Sequence, residues 1–152
     1  MYGAALGDMI GAPYEFDRGE KTKDFPLFTA ESTYTDDTVM TVAVVEALMD
    51  SEEESDKEIQ KCIAETMLRW GRKYPKAGYS AQYLRWLFKD HKPLDVDTVD
   101  AAMSISCIGW LYDTIDETRK MARLSAMTTH VNPDSIRGAD AVASVVYMAR
   151  TG

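Results

Sequence analysis

Two adjacent carboxylates open a run that is apolar on nearly every side, and this stretch constrains the fold more than any other. The four opening residues are Thr35-Asp36-Asp37-Thr38, and the apolar run continues over residues 39–49. A helix that is apolar all round is buried at the centre of a protein. The carboxylates at its N-terminal end are therefore predicted to lie at the edge of the core, where a pocket can form.

Neighbouring carboxylates at such a place experience opposing effects. The helix dipole favours a negative charge by roughly 0.3–1 kcal/mol, whereas crowding and burying two like charges costs more. A hard cation such as Mg²⁺ removes the conflict, because carboxylate and hydroxyl oxygens are its ligands. Threonine and aspartate are also good N-cap residues. Capping and metal binding therefore both remain open for Thr35, Asp36 and Asp37.

Composition excludes several classes of partner. The 152 residues are 45% hydrophobic and 28% charged, which is typical of one globular domain rather than a disordered chain. The net charge of -8 argues against binding to nucleic acid, since that requires neutralising phosphates. The same charge would repel an anionic substrate unless a cation lies between them.

The cysteines and the apolar runs predict a cytoplasmic protein. Cys62 and Cys107 lack C-x-x-C spacing and are interpreted as reduced, buried, small hydrophobic residues. The N-terminal segment has no basic region, so no signal peptide is predicted. No apolar run reaches the ~18–20 residues of a membrane span, so no membrane association is expected.

Helical signals dominate the rest of the chain, and no alternating strand pattern is found. Ser55 with Glu58 and Thr114 with Glu117 fit capping boxes, and Asn132-Pro133 is typical of a helix start. The helix that begins at Thr114 is predicted to end near Thr129. The last helix is predicted to direct five residues inward: Ile136, Ala139, Ala143, Val145 and Val146. The expected fold is all-α, with obliquely packed helices.

Glu15 stands between two aromatic residues, Tyr14 and Phe16, and precedes a polar loop over residues 17–32. Loops of this length without secondary structure are usually functional or mobile. Glu15 is therefore either a site residue or an ordinary exposed loop residue.

Several motifs together resemble the ADP-ribosylglycohydrolase family. The resemblance covers nearly the whole chain, in the family's order. It rests on these segments: Gly3-Ala4-Ala5-Leu6-Gly7-Asp8-Met9-Ile10-Gly11-Ala12-Pro13-Tyr14-Glu15-Phe16, Thr35-Asp36-Asp37-Thr38, Gly71-Arg72-Lys73-Tyr74-Pro75, Ala77-Gly78-Tyr79, Ile108-Gly109-Trp110, and Thr129-His130 with Asn132-Pro133.

This resemblance implies a compact multi-helix domain over residues 1–152 and an enzyme that holds two Mg²⁺ ions, with Mn²⁺ as a possible substitute. Such an enzyme hydrolyses the glycosidic bond between ADP-ribose and a protein side chain or similar acceptor. The implied metal ligands are Thr35, Asp36 and Asp37, the implied catalytic residues are Glu15 and Asp37, and the implied substrate contacts are Gly78, Tyr79 and His130. The alternative for His130 is a residue that completes a helix C-terminus.

The sequence also departs from the family pattern. Where the family has Gly-Asn-Gly, this chain has Thr98-Val99-Asp100, and Ser104 replaces an arginine. Asn132 replaces the second histidine of a Thr-His-x-His-Pro motif. Family members are longer, and their C-terminal half carries a second Asp-x-Asp-Thr motif that completes the metal pair. A truncated member with weakened activity is therefore expected.

The segment Asp95-Val96-Asp97-Thr98 has the same Asp-x-Asp-Thr pattern in another part of the chain. It can bring Asp95 and Asp97 near the first half of the metal site as additional ligands. Short acidic patterns are common, so an acidic loop that arose by chance is the alternative.

Three functions follow. The chain hydrolyses ADP-ribose linkages, it binds ADP-ribose or a nucleotide without turnover, or it is a vestigial interaction domain. The last helix is apolar on more than one face, which predicts a homodimer or a partner chain that covers it.

Overall fold

The computed structural model describes residues 2–16, 21–96 and 100–152, and within these ranges the chain is all-α, as predicted. The helices are α1 (Tyr2–Gly11), α2 (Asp36–Asp50), α3 (Asp56–Lys73), α4 (Ala81–Arg85), α5 (Asp100–Met103), α6 (Ile108–Leu111), α7 (Ile115–Thr129) and α8 (Pro133–Thr151). A 3₁₀ turn (Ala12–Tyr14) follows α1, and a π turn (Trp86–Asp90) follows α4. In these ranges β pairing is limited to one isolated parallel bridge, between Leu94 and His130. No helix of the described part is long and apolar enough to cross a membrane.

The predicted helix starts are confirmed by their caps. The Ser55 hydroxyl accepts from the Glu58 amide at 3.4 Å and the Thr114 hydroxyl from the Glu117 amide at 3.2 Å. The Asn132 side chain accepts from the amides of the first turn of α8. These caps satisfy amides that have no partner inside the helix. The predicted helix end near Thr129 is also confirmed.

Helix α2 lies at the centre of the core, as its composition predicted. Eight of its residues are buried: Val39, Met40, Thr41, Ala43, Val44, Val45, Ala47 and Leu48. It packs against α3, which in turn packs against α7, and α8 covers α5, α6 and α7. Between the acidic residues at its two ends, α2 carries one charged residue, Glu46, whose carboxylate accepts from Arg69 and from the Trp70 indole, both at 2.6 Å. The core thus fixes α2, and with it the position of its N-terminus.

Gly109 permits the close approach of α6 and α8. A Cβ at this residue would lie 2.7 Å from the Ala143 carbonyl oxygen and 2.7 Å from the Val146 Cβ. We expect Gly109→Ala to lower the free energy of unfolding by about 1–3 kcal/mol, because the helices must separate. Chemical denaturation measures this change.

Gly138→Ala is the matched control, because a Cβ at that position in α8 meets nothing within 4 Å. This variant should gain about 0.5–1 kcal/mol from helix propensity. Equal stability changes for the two variants would contradict the close-packing explanation.

One face of α8 is exposed, and there the sequence prediction was wrong for Val145. Ala139 and Ala143 are buried, as predicted, but Val145 is 60% exposed and Met148 is 55% exposed. Helix α1 has no buried residue at all. Periodicity identified an apolar face on α8 but could not tell which side has a neighbouring helix.

The two cysteines are free, as predicted. Cys107 is buried, and its thiol donates to the Ser104 carbonyl at 3.2 Å. Burial raises its pKa to about 12, so the thiol stays protonated. Cys62 is only half-buried, so the predicted burial is confirmed for Cys107 but was wrong for Cys62. The Cys62 thiol donates to the Ala47 carbonyl at 3.5 Å. Both residues therefore pack as small apolar side chains.

Candidate active site

The N-terminus of α2 is held by a cap and by the segment before α4. The Thr35 hydroxyl accepts from the Asp37 amide at 3.3 Å, so the capping interpretation of Thr35 is confirmed. The Asp36 amide donates to the Ala77 carbonyl at 2.7 Å. These contacts fix the backbone from which Asp36 and Asp37 project.

Asp8 of α1 is a site residue that sequence reasoning missed. Its carboxylate accepts from the Thr35 amide at 2.7 Å, the Thr35 hydroxyl at 2.6 Å and the Thr38 amide at 3.2 Å. The Thr38 hydroxyl also donates to it. Asp8 thus satisfies amides of the first turn of α2 from 27 residues away. The sequence did contain one indication of this role, because Asp8 is the single carboxylate in a helix of otherwise small and apolar residues.

Asp36 and Asp37 lie half-buried, and both carboxyls have raised pKa values. Burial raises the pKa of Asp36 to about 7, with further contributions from the charges of Asp37, Asp100 and Glu15. Burial likewise raises the pKa of Asp37 to about 6, and there the charges of Asp8, Glu15 and Asp100 add to the effect. Within the described residues, burial and like charges therefore both disfavour ionisation of this pair, which is the conflict that the sequence predicted.

Glu15 is one of the acidic residues whose charge reaches this pair, and its role in the site stays a prediction. It directly follows the 3₁₀ turn, and its charge acts on both Asp36 and Asp37. The preceding residue, Tyr14, packs edge-on against Phe25 with 5.2 Å between ring centroids, and its hydroxyl donates to the Pro26 carbonyl at 3.1 Å. The described part of the loop thus packs against the turn that positions Glu15. Asp17, the first residue of the predicted loop, lies outside the described residues.

Gly78 and Tyr79 form one wall next to Asp36. Gly78 has a φ of +107°, which glycine adopts without strain, and a Cβ there would lie 3.4 Å from the Asp36 Oδ1. The ring of Tyr79 is buried and stacks on Tyr83 with 5.7 Å between centroids. Trp86 continues the aromatic row, 5.4 Å from Tyr83. The predicted substrate contacts Gly78 and Tyr79 thus adjoin the predicted metal ligands.

His130 is fully buried, with 0% of its surface exposed. Its Nδ1 lies 2.8 Å from the Thr129 hydroxyl, and its amide donates to the Ala126 carbonyl as the C-cap of α7. The alternative, in which His130 completes the C-terminus of its helix, is thus confirmed for the backbone of His130. Burial lowers the pKa of His130, and the charge of Asp100 acts in the opposite direction. A direct contact of the ring with ADP-ribose stays a prediction, and it requires the ring to become exposed.

The structure places Asp95 on the surface, and Asp97 lies outside the described residues. Asp95 directly follows Leu94, whose amide donates to the Thr129 carbonyl at 2.7 Å. Its charge is not among those that raise the pKa of Asp36 or Asp37, whereas the charge of Asp100 is. The structure therefore does not bring Asp95 into the site.

The donor set suits a hard divalent cation, but it is small. In the described ranges no three histidine, cysteine or acidic side chains approach closely enough to hold a metal ion. Mg²⁺ nevertheless keeps several waters and is commonly held by one or two carboxylates together with its substrate. The buried carboxylates of Asp36 and Asp37, with the Thr35 hydroxyl beside them, match that chemistry.

Comparison with known proteins places the whole chain in one family. The model of the ADP-ribosylglycohydrolase family matches residues 1–152. The chain is 28% identical over 182 residues to the ADP-ribosylhydrolase ARH3 of Mus musculus, covering 100% of this chain and 48% of that protein. The Gallus gallus protein of the same name is 27% identical over 185 residues, and 49% of it is covered. For the Homo sapiens protein the identity is 28% over 182 residues, with 49% covered. The chain thus spans about half the length of these curated relatives.

Proposed function

The chain belongs to the ADP-ribosylglycohydrolase family, and on that basis we propose that it hydrolyses the glycosidic bond between ADP-ribose and a protein side chain or similar acceptor. The relatives it matches are named ADP-ribosylhydrolases. Because it spans about half of their length, we expect only weak turnover from the isolated chain. The proposed cofactor is Mg²⁺, with Mn²⁺ as a possible substitute.

One observation carries this proposal. Asp36 and Asp37 lie half-buried at the N-terminus of α2, and their pKa values are raised to about 7 and about 6. Groups with perturbed pKa values are concentrated at functional sites. Among the described residues, the charges that act on either carboxyl all come from other acidic side chains. A bound divalent cation supplies the missing charge.

The residues of the site divide the chemistry between them. Asp36 and Asp37, with the Thr35 hydroxyl, would hold Mg²⁺, and a bound Mg²⁺ would supply Lewis-acid chemistry toward ribose hydroxyls and water. Glu15 contributes a carboxylate beside the pair, where it stabilises the positive charge of an oxocarbenium-like transition state or positions water. Asp8 keeps Thr35 and the first turn of α2 in place.

The substrate is proposed to approach along the wall made by Gly78 and Tyr79. The backbone of Gly78 lies close to Asp36, since a Cβ at Gly78 would already contact the Asp36 carboxylate at 3.4 Å. An ADP-ribose diphosphate would be repelled by a chain of net charge -8. Mg²⁺ at the Asp36 and Asp37 carboxylates offsets that repulsion locally.

The expected result is slow, Mg²⁺-dependent release of ADP-ribose from a modified protein by the purified chain. Asp37→Ala should reduce this release below detection, because losing a direct metal ligand costs more than losing a residue that only supports a ligand, which already costs about 10–100-fold. Chromatographic quantification of free ADP-ribose measures the rate. The matched control is Asp50→Ala, which removes an exposed carboxylate from the other end of α2, about 20 Å away.

Other outcomes distinguish the alternatives. A rate that does not require a divalent cation, or one that survives Asp37→Ala, would contradict the proposed mechanism. Calorimetric binding of ADP-ribose without any release would favour the non-catalytic binding function. If neither release nor binding of ADP-ribose is observed, the vestigial interaction domain would remain as the function of the chain.

A homodimer or a partner chain stays a prediction that the exposed face of α8 supports. Val142, Val145 and Met148 are 37%, 60% and 55% exposed, and exposed apolar patches of several hundred Å² usually mark an interface. Sedimentation velocity over a range of concentrations should reveal association of the purified chain. A cooperative monomer at high concentration would contradict this expectation.

The cytoplasmic location inferred from the cysteines also stays a prediction.

A further inference from the structure

One stretch of the chain has the opposite charge to the protein as a whole. Residues 66–89 contain six basic side chains and no aspartate or glutamate, although the whole chain has 25 acidic and 17 basic side chains. The six are Arg69, Arg72, Lys73, Lys76, Arg85 and Lys89. The first three lie in the last two turns of α3, and Lys76 follows the end of that helix. Positive charge is therefore concentrated at the C-terminus of α3.

Three of these cations lack an acidic partner. Arg69 donates to the Glu46 carboxylate at 2.6 Å, so its charge is neutralised locally. Arg72, Lys73 and Lys76 are exposed, and none of them forms an ion pair with a residue that the structure describes. Together these three residues form the basic surface.

Aromatic rings hold the central cation of the basic surface in place. The Lys73 Nζ lies 5.2 Å from the ring centroid of Trp70 and 5.4 Å from that of Tyr74. The two rings stack with 5.5 Å between centroids, and Tyr34 packs edge-on against Tyr74 at 6.0 Å. A cation is attracted to an aromatic face by the ring quadrupole. The rings therefore restrict the Lys73 side chain without neutralising its charge.

The basic surface adjoins the candidate active site. The Ala77 amide donates to the Tyr74 carbonyl at 3.2 Å, and the Ala77 carbonyl accepts from the Asp36 amide at 2.7 Å. Lys76 directly precedes Ala77 in the chain. Tyr34 lies two residues before Asp36, so their Cα atoms are at most ~7 Å apart. A polypeptide attached to a substrate at Asp36 would therefore lie within reach of the basic surface.

The helix dipole alone does not account for this arrangement. It favours cations in the last turn of a helix, which explains Arg72 and Lys73. Lys76 lies beyond that turn, however, and like charges four residues apart on a helix, such as Arg69 and Lys73, repel one another. A patch of unpaired charge next to a site attracts ligands of the opposite sign. The basic surface therefore suits an anionic partner.

We propose that Arg72, Lys73 and Lys76 bind an acidic polypeptide segment of the ADP-ribosylated protein and hold that protein against the candidate active site. The proposal rests on the proposed function, which supplies the modified protein. Single-stranded nucleic acids use open aromatic faces as stacking platforms, whereas Trp70 and Tyr74 already contact each other and Lys73. The basic surface thus offers charge more than stacking, which favours an acidic polypeptide.

Fluorescence anisotropy with an unmodified peptide tests the basic surface without any turnover. The probe is a labelled peptide of alternating glutamate and serine, and the same peptide with glutamine in place of glutamate is the neutral probe. In chelator, the wild type should bind the acidic probe with an affinity that falls as salt is added, and it should not bind the neutral probe. The triple variant Arg72→Gln, Lys73→Gln and Lys76→Gln should bind the acidic probe at least about tenfold more weakly.

A second triple variant makes the same change in net charge elsewhere. Lys57→Gln, Lys61→Gln and Lys120→Gln remove three exposed cations at the other end of α3, about 18–24 Å from Lys73. This variant should bind the acidic probe like the wild type. Lys73→Arg keeps a cation over the rings and should also bind like the wild type. Thermal melting without peptide should be similar for all variants, because the replaced side chains are exposed.

The outcomes separate this proposal from the proposed function. Equal weakening by the two triple variants would show that only net charge matters, and it would overturn the proposal. Tighter binding of a single-stranded DNA of equal charge would overturn it in favour of a nucleic acid. Release of ADP-ribose without binding of the acidic probe overturns the basic surface and leaves hydrolysis intact. Binding that is lost only in the first triple variant supports the basic surface, and if no ADP-ribose is released it counts against hydrolysis alone.

Discussion

Replacing both carboxylates of the pair (Asp36→Asn with Asp37→Asn) is expected to stabilise the metal-free protein at pH 8 by about 1–3 kcal/mol and to abolish its stabilisation by Mg²⁺. The folded-state pKa values are about 7 for Asp36 and about 6 for Asp37, against 3.8 for an ordinary aspartate. Each unit of pKa corresponds to about 1.4 kcal/mol. Remaining solvent access and the lost helix-dipole attraction reduce the net gain.

The pH dependence has a definite sign. Because the folded-state pKa values are raised, the folded protein binds these protons more tightly than the unfolded chain does. The pair's contribution to stability is therefore complete below about pH 4, and it is lost as the pH rises through about 6 and 7. The difference in stability between the wild type and the double variant should follow this course in chelator.

Denaturant unfolding between pH 4 and 8, with chelator or with excess Mg²⁺, measures both effects. Ligand that binds only the folded state stabilises it in proportion to the logarithm of its concentration. The wild type should gain stability as Mg²⁺ is added, whereas the double variant should not. Asp50→Asn, at the opposite end of α2, serves as the control. It should show the same pH dependence of stability and the same stabilisation by Mg²⁺ as the wild type. A wild type that is insensitive to Mg²⁺ at pH 8 would contradict the metal site.

Local signals predicted most of the helices. A cap such as Ser55 or Thr114 and its partner lie three residues apart, so their interaction is encoded in a short window. The central helix α2 was likewise predictable, because its apolar run can be satisfied only by burial. Asp36 and Asp37 were identified as candidate site residues from the same stretch, and this required no knowledge of the fold.

Long-range contacts account for what the sequence did not predict. Asp8 reaches Thr35 across 27 residues, so this contact leaves no periodic or spaced pattern in the sequence. The segment that begins at Asp95 did have a recognisable pattern, yet the structure exposes Asp95. Short acidic motifs carry little information without the fold that places them.

Asp8→Ala is expected to destabilise the protein by about 2–4 kcal/mol, because it removes the acceptor for four donors at the start of α2. Hydrogen bonds to a charged group contribute about 1.5–3 kcal/mol each, and they are not additive within one network. The two amides involved belong to Thr35 and Thr38. One opposing effect exists, since the charge of Asp8 raises the pKa of Asp37. Four lost bonds outweigh the relief of one repulsion.

The position of the effect distinguishes capping from general instability. Hydrogen exchange should accelerate first in the opening turn of α2, because Asp8 acts there, while the end of the helix near Asp50 should remain protected. Asp8→Asn keeps an acceptor oxygen, so its loss of stability should be smaller than that of Asp8→Ala. Both variants should weaken the binding of Mn²⁺, since Thr35 and the carboxylates depend on the same backbone. A change below about 0.5 kcal/mol in Asp8→Ala, with normal protection of the first turn, would mean that α2 begins correctly without this carboxylate.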